Sequence, residues 1–213
     1  RTYAEMIADG IPVRYKGVCN TADLVVSNNT DTCQGNPSPA CNYILSMVEV
    51  EVDMETFKPK VLSLKAVSDV GKVGNLLAVE GQAYGGFSHA LGFALSEDYS
   101  DSKKHSSLLG AGIPQIKDVP DDMEFFFHQG ERESGPHGSS GCAEGFQSAG
   151  HVAIINAINN AIGVRIYEIP ARPEKFRAVY ERQKNGQKLH PAHYDFSAGM
   201  YELFDYIAEN PHK

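Results

Sequence analysis

Polar and apolar residues alternate from Tyr43 to Asp53, where Val48, Val50 and Val52 interleave with Glu49, Glu51 and Asp53. A period of two predicts a strand with one buried face and one wet face. METFKPK (54–60) reads as a turn, and Val61–Asp69 as a second strand folding back in a hairpin. From Gln82 the period becomes helical: Phe87, Leu91, Ala94 and Leu95 share a face, and the helix should finish near Ser96. EFFFH (124–128) is a short apolar run that predicts a buried strand. Helical spacing returns over Ala149–Ile162, with Val152, Ile155, Ile158 and Ile162 apolar and Gly163 placed as C-cap. Val164–Ile169, bounded by Pro170, reads as a strand, and Pro173 opens a helix that ends at Asn185-Gly186. A short helix, Thr2–Ala8, should stop at Asp9-Gly10. A last helix, Ser197–Ala208, carries Met200, Tyr201, Phe204 and Ile207 on one side. Residues 20–42 and 99–122 are polar connections, the first of a length that often serves a ligand or an interface. No regular βαβ rhythm appears, so the class is α+β.

Composition narrows the picture. The chain has 213 residues, 42% hydrophobic and 22% charged, which excludes wholesale disorder, collagen and coiled coil. No run of 18 apolar residues exists, so no membrane-spanning helix is expected. Nineteen basic against 27 acidic residues leave a net charge of -8, which weighs against a nucleic-acid partner. The opening RTYAEMIADGIPV lacks the features of a signal peptide. Cys19, Cys33, Cys41 and Cys142 show no C-x2-C spacing, so they read as thiols in a reducing compartment, here the cytoplasm.

Two glycine-rich stretches carry the candidate chemistry. In the first, GPHGSSGCAE (135–144), small residues let backbone N–H groups approach an anion or planar ligand closely. Glu144 closes it, just before the helix expected from Ala149. It is either an acid favoured at a helix N-terminus or a carboxylate available as a general base. The second comprises GKVGN (71–75) and EGQAYGG (80–86), which fit neither G-x-G-x-x-G nor the P-loop. Their glycines serve either tight strand-to-helix packing or a cofactor cradle, in which Asn75 and Gln82 would donate amide hydrogens. His137 and Cys142 are too few to hold a metal, and His89 reads as a packing or surface residue. G-S-S-G at 138–141 is not a nucleophile elbow, so a serine hydrolase is unsupported.

These segments, with TCQGNPSPA (32–40), DVGKVGNLLAVEGQAYGGFSHALGFALSEDY (69–99), KKHSSLLGAGIPQIKDVPDD (103–122) and HVAIINAINNAIGVRIYEIPARPEKF (151–176), resemble the molybdenum-binding part of the xanthine oxidase family. The likeness is to its bacterial aldehyde oxidoreductases in particular. Five segments match in order, over most of residues 1–180. The resemblance implies the C-terminal part of a molybdopterin-binding domain over 1–185, followed by a helical extension over 186–213. It implies a molybdenum–molybdopterin cofactor in its cytosine dinucleotide form, with no protein ligand to the metal. By position, Asn75, Gln82, Ser140, Gly141, Cys142 and Ala143 would line that cofactor. Glu144 matches the family's catalytic base for oxidation of aldehydes to carboxylic acids, with water as oxygen source.

The chain also departs from the family. Where the family pattern reads G-V-G-E, this chain has G-C-A-E, so a positive φ required at Ala143 would be strained. The family's molybdenum portion is several times longer than this chain, and no iron–sulfur motif is present. The chain is therefore expected to work as a piece or subunit of an oligomeric enzyme. Its partners would be the remainder of the molybdenum domain and an iron–sulfur domain or subunit. Two alternatives stand beside the aldehyde reading: a purine or other N-heterocycle hydroxylase of the same family, and a non-catalytic assembly module with the same fold.

Overall fold

A computed structural model of the chain describes residues 1–18, 25, 31, 34–38, 40–187, 206 and 209. The alternating segment forms β1 (Tyr43–Val52) and the following run forms β2 (Pro59–Asp69), paired antiparallel as a hairpin. Asp53 builds the turn by accepting the Glu55 and Thr56 N–H groups at 2.8 and 3.2 Å. Those bonds favour the ionised form and hold its carboxyl below the usual range. Phe57 takes φ 59° there and turns its ring inward, against Tyr180 at 5.4 Å. Both Tyr180 and Arg177, whose guanidinium covers the Phe57 ring, belong to α4 (Pro173–Lys184), which starts and ends where its Pro and Asn-Gly signals predict. The hairpin tip is thereby fastened to the C-terminal part of the described chain.

After β2 the chain enters α2 (Leu76–Leu95) and returns as β3 (Asp122–His128), which pairs parallel to β2. The sheet order is β1-β2-β3, and β2–α2–β3 is a βαβ unit that the periodicity did not announce. The excursion between α2 and β3 hid it; that segment is held by Ser96 Oγ donating to Gly112 O at 2.6 Å and Asp98 N–H to Ala111 O at 3.0 Å. β3 is also less buried than expected. Met123, Phe125 and Phe127 turn inward, while Phe126 is largely exposed.

Both long helices begin earlier than their apolar spacing suggests. α2 starts at Leu76, six residues before Gln82, because Asn75 Oδ1 caps it by accepting the Ala78 N–H at 3.0 Å. α3 (Ala143–Ile162) starts six residues before Ala149. Its first turns are built from small residues because α2 and β1 press against them. A Cβ on Gly145 would stand 2.6 Å from Ile44 Cδ1, and one on Gly150 2.7 Å from Ala90 Cβ. Gly145 and Gly150 thus serve a packing surface. Gly163 ends α3 in the left-handed conformation, as expected.

Residues 164–169 are not a strand. Ile166 N–H donates to Asn159 Oδ1 at 3.0 Å, and Val164 and Ile166 are buried without sheet pairing. The core lies between the inner sheet face, α2, α3 and α4, around Leu64, Phe87, Ala90, Ile154, Ile158 and Phe176. The outer sheet face is not simply wet, since it exposes Leu45 (61%), Met47 (57%), Val67 (41%) and Phe126 (54%). α1 (Tyr3–Ala8) has a Thr2–Glu5 capping box and no buried residue. The helix expected over 197–208 lies outside the described residues except at Tyr206, and so does most of the 186–213 extension. No helix among the described residues is long and apolar enough to cross a membrane.

Candidate functional site

Because β2 and β3 are parallel, the segments that follow them leave at the same edge of the sheet. One leads into the N-terminus of α2, the other into the N-terminus of α3. In open α/β sheets ligands settle outside the carboxyl ends of the strands, where helix N-termini present free N–H groups.

The two loops are knitted together at that edge. Gly71 bridges to Ser139, Lys72 N–H donates to Gly138 O at 3.1 Å, and Ser140 N–H donates to Val70 O at 2.9 Å. Ser139 Oγ donates to Lys72 O at 2.5 Å, and Val73 N–H donates to Gln129 Oε1 at 3.0 Å. Asp69, the last residue of β2, accepts the Gly71 and Gly130 N–H groups at 2.9 and 3.3 Å and Arg132 Nη2 at 3.0 Å. The Gly71 N–H first, then the Arg132 guanidinium, lower its carboxyl to about 2. An open depression of about 770 Å³ lies over this junction, lined by Lys72, Gln129, Glu131, Arg132 and His137 among others. A second open cleft, about 720 Å³, lies around Asn156 and Gln183, roughly 18 Å down α3 from Glu144 at 1.5 Å per residue, and plays no part in this arrangement.

The residues singled out in sequence come to this edge as follows. Ser140 spends its N–H on Val70 and its hydroxyl on Gly141 O at 3.3 Å. Gly141 is exposed, with nothing within 4 Å of where a Cβ would stand. Cys142 is the N-cap of α3 without a side-chain capping bond, a half-buried free thiol raised by burial. Cys41 is also a free thiol; Cys19 and Cys33 lie outside the described residues. Ala143 is the first residue of α3 and has no positive φ, so the strain expected at this alanine does not arise. Glu144 follows it, exposed, inside the first turn of the helix and not ahead of it.

α2 meets this run at Gly86, where a Cβ would stand 2.7 Å from Ala143 O. Gly86 thus serves helix packing, while Gly81 and Gly85 face open space. Gln82 is exposed, one turn before Gly86 and about 6 Å along the axis. Asn75 caps α2 through its Oδ1, which leaves its amide NH2 outside that bond. Sequence reasoning missed Asp69, Gln129 and Arg132. The D-x-G spacing at 69–71 hints at a side-chain-closed turn, but nothing local marks Arg132. Among the described residues no three His, Cys, Asp or Glu side chains group as a metal site.

Fold and site together define a domain in which two loops are joined at the carboxyl ends of a parallel strand pair. Comparison with known proteins identifies its family. A family model described as "Molybdopterin cofactor-binding domain" matches residues 1–120. The aldehyde oxidoreductase of Megalodesulfovibrio gigas is 42% identical over 174 residues, 82% of this chain and 19% of that protein. A solved aldehyde oxidoreductase structure from Desulfovibrio gigas superposes with a TM-score of 0.77 at 40% identity, covering 84% of this chain and 20% of the other. One from Desulfovibrio desulfuricans gives 0.73 at 46%, covering 83% and 19%. The chain belongs to the molybdopterin cofactor-binding domain family, within the molybdenum hydroxylases of the xanthine oxidase family. It spans about one fifth of the length of these relatives.

Proposed function

We propose that this chain is the part of a molybdenum-dependent aldehyde oxidoreductase that lines one side of the pterin cofactor and supplies the general base, Glu144. The observation that carries the reading is the meeting of the Ser140–Glu144 run with α2 at the carboxyl edge of β2 and β3. The sequence likeness to an aldehyde oxidoreductase supports the substrate class.

The residues fit such a cofactor. The N–H groups of Glu144 and Gly145 lie in the first turn of α3, where they have no intrahelical acceptor, and Cys142 contributes no side-chain cap. Donors of this kind suit an oxygen-rich anionic ligand. Gly81, Gly85 and Gly141 leave the backbone open to close approach. The Gln82 and Asn75 amides and the backbone of Ser140, Gly141, Cys142 and Ala143 would hold the group. When bound, the molybdenum pterin supplies the two-electron redox chemistry.

The chain's own contribution is a proton acceptor. A carboxylate oxygen of Glu144 takes a proton from the water that becomes the product's second oxygen. Overall, an aldehyde and water give a carboxylic acid, two protons and two electrons. Iron–sulfur centres on another domain or subunit would accept the electrons. A cytosine dinucleotide form of the pterin and a cytoplasmic setting complete the reading. The N-heterocycle alternative draws on weaker likenesses, such as a probable hypoxanthine oxidase of Escherichia coli, 26% identical over 191 residues. The argument for a non-catalytic module weakens because Ala143 sits unstrained in a helix beside a retained Glu144.

Glu144→Gln in the assembled enzyme tests the assignment. The expected result is full molybdenum content with turnover lowered by orders of magnitude. A carboxylate that serves only the helix terminus would instead cost about 0.3–1 kcal/mol of stability and leave turnover intact. That outcome removes Glu144 from the mechanism.

A further inference from the structure

We infer that Arg132, held by Asp69, is the positioning residue that sets the Ser140–Glu144 run against α2, and so places the base and the cofactor-lining backbone. The inference rests on the reading of that run given above.

The guanidinium is largely buried and reaches three acceptor atoms on two residues far apart in sequence. Nη1 donates to Cys41 O, just ahead of β1. Nη2 donates to Asp69 O at 2.8 Å and to Asp69 Oδ1 at 3.0 Å, at the end of β2. One side chain from the loop after β3 thus ties down the entrance of β1 and the exit of β2. A rigid planar fork can do this, whereas the point charge of a lysine cannot.

What the tie controls is the ladder immediately beyond it. Gly71 follows Asp69 by two residues, with φ 66°, and a Cβ there would meet Arg132 Cδ and Nε at 2.9 Å. Gly71 is also the residue bridged to Ser139, and its neighbours exchange the bonds Lys72 N–H to Gly138 O and Ser140 N–H to Val70 O. Ser140 stands three residues before the first residue of α3. Among the described residues, the guanidinium bonds of Arg132 go to Cys41 and Asp69, and none goes to α2 or Glu144. Its effect on the site therefore passes through this backbone ladder. Asp69 completes the device by accepting from both loops at once, through Gly71 and Gly130.

The test uses the holoenzyme carrying Arg132→Met, Arg132→Lys or Asp69→Asn. Two quantities are read: hydrogen exchange in peptides covering 70–73 and 138–145, and turnover per bound molybdenum with acetaldehyde. All three variants should exchange at least tenfold faster in those peptides. Their kcat per molybdenum should fall at least tenfold, with KM within threefold of the parent. A purely structural tie would lower melting temperature or molybdenum content without changing turnover per bound metal. Should Arg132→Met fail to fold, Arg132→Lys and Asp69→Asn decide by the same criteria. Parent-like exchange in these variants overturns the inference, and so does faster exchange with parent-like turnover per molybdenum. A parent enzyme lacking molybdenum, or inert toward acetaldehyde, refutes the function proposed above instead. Exchange alone then decides the role of Arg132.

Discussion

Gly85 and Gly86 are adjacent in α2, yet alanine should act on them with opposite sign. Both lie in the helix interior, so each substitution gains the same backbone term, about 0.5–1 kcal/mol. At Gly85 nothing stands within 4 Å of the new methyl, so the gain should appear undiminished. At Gly86 the methyl would lie 2.7 Å from Ala143 O and 2.9 Å from Phe146 Cβ, both fixed to the backbone of α3. Ordinary contact begins near 3.4 Å, so the helices must part by about 0.7 Å, the step from 2.7 to 3.4 Å. Forcing an extra methyl into a packed contact costs about 1–3 kcal/mol. The helix-propensity term cancels between the two variants, so their difference isolates the steric cost, about 1–3 kcal/mol. Urea unfolding followed by circular dichroism measures it, with m-values compared so that midpoints report stability. Equal stabilities for Gly85→Ala and Gly86→Ala would refute the close approach of α2 to the start of α3. In the loaded enzyme, Gly86→Ala should also lower turnover, because the part that has to move carries Glu144.

Two further outcomes follow from the same geometry. Asp69 has its carboxyl depressed to about 2, so its charge contributes stability fully above the unfolded value near 3.9, and that contribution is lost as pH falls through about 2. The stability gap between the parent and Asp69→Asn, read from urea midpoints across pH, should therefore be constant above about pH 4 and close toward pH 2; a gap closing near neutrality would contradict the assigned bonds. Phe176 is fully buried between α4 and the core, so Phe176→Ala should cost about 3–5 kcal/mol in a denaturant titration, and a cost under 1 kcal/mol would mean that α4 does not dock as described.

Some of this molecule is written locally. The β1–β2 hairpin follows from two-residue alternation and a turn closed by Asp53. The ends of α1, α3 and α4 follow from Thr2, Gly163 and Pro173, whose cap chemistry acts within one turn of helix. The two glycine-rich stretches of the candidate site were visible as well, since small residues next to polar amides and an acid mark close backbone approach. Other features depend on neighbours far along the chain. Gly86 and Gly145 are helical and tightly packed while Gly85 and Gly141 face open space, and no periodicity separates such glycines. The parallel pairing of β2 with β3 joins segments separated by α2 and a long excursion, so no short-range pattern could encode it. Arg132 looks like any surface arginine in sequence. It becomes a tie only because folding brings Cys41 and Asp69, 91 and 63 residues away, to its guanidinium. Patterns of burial and capping are short-range and survive in the sequence, whereas a site assembled from three loops exists only once the sheet has brought their ends together.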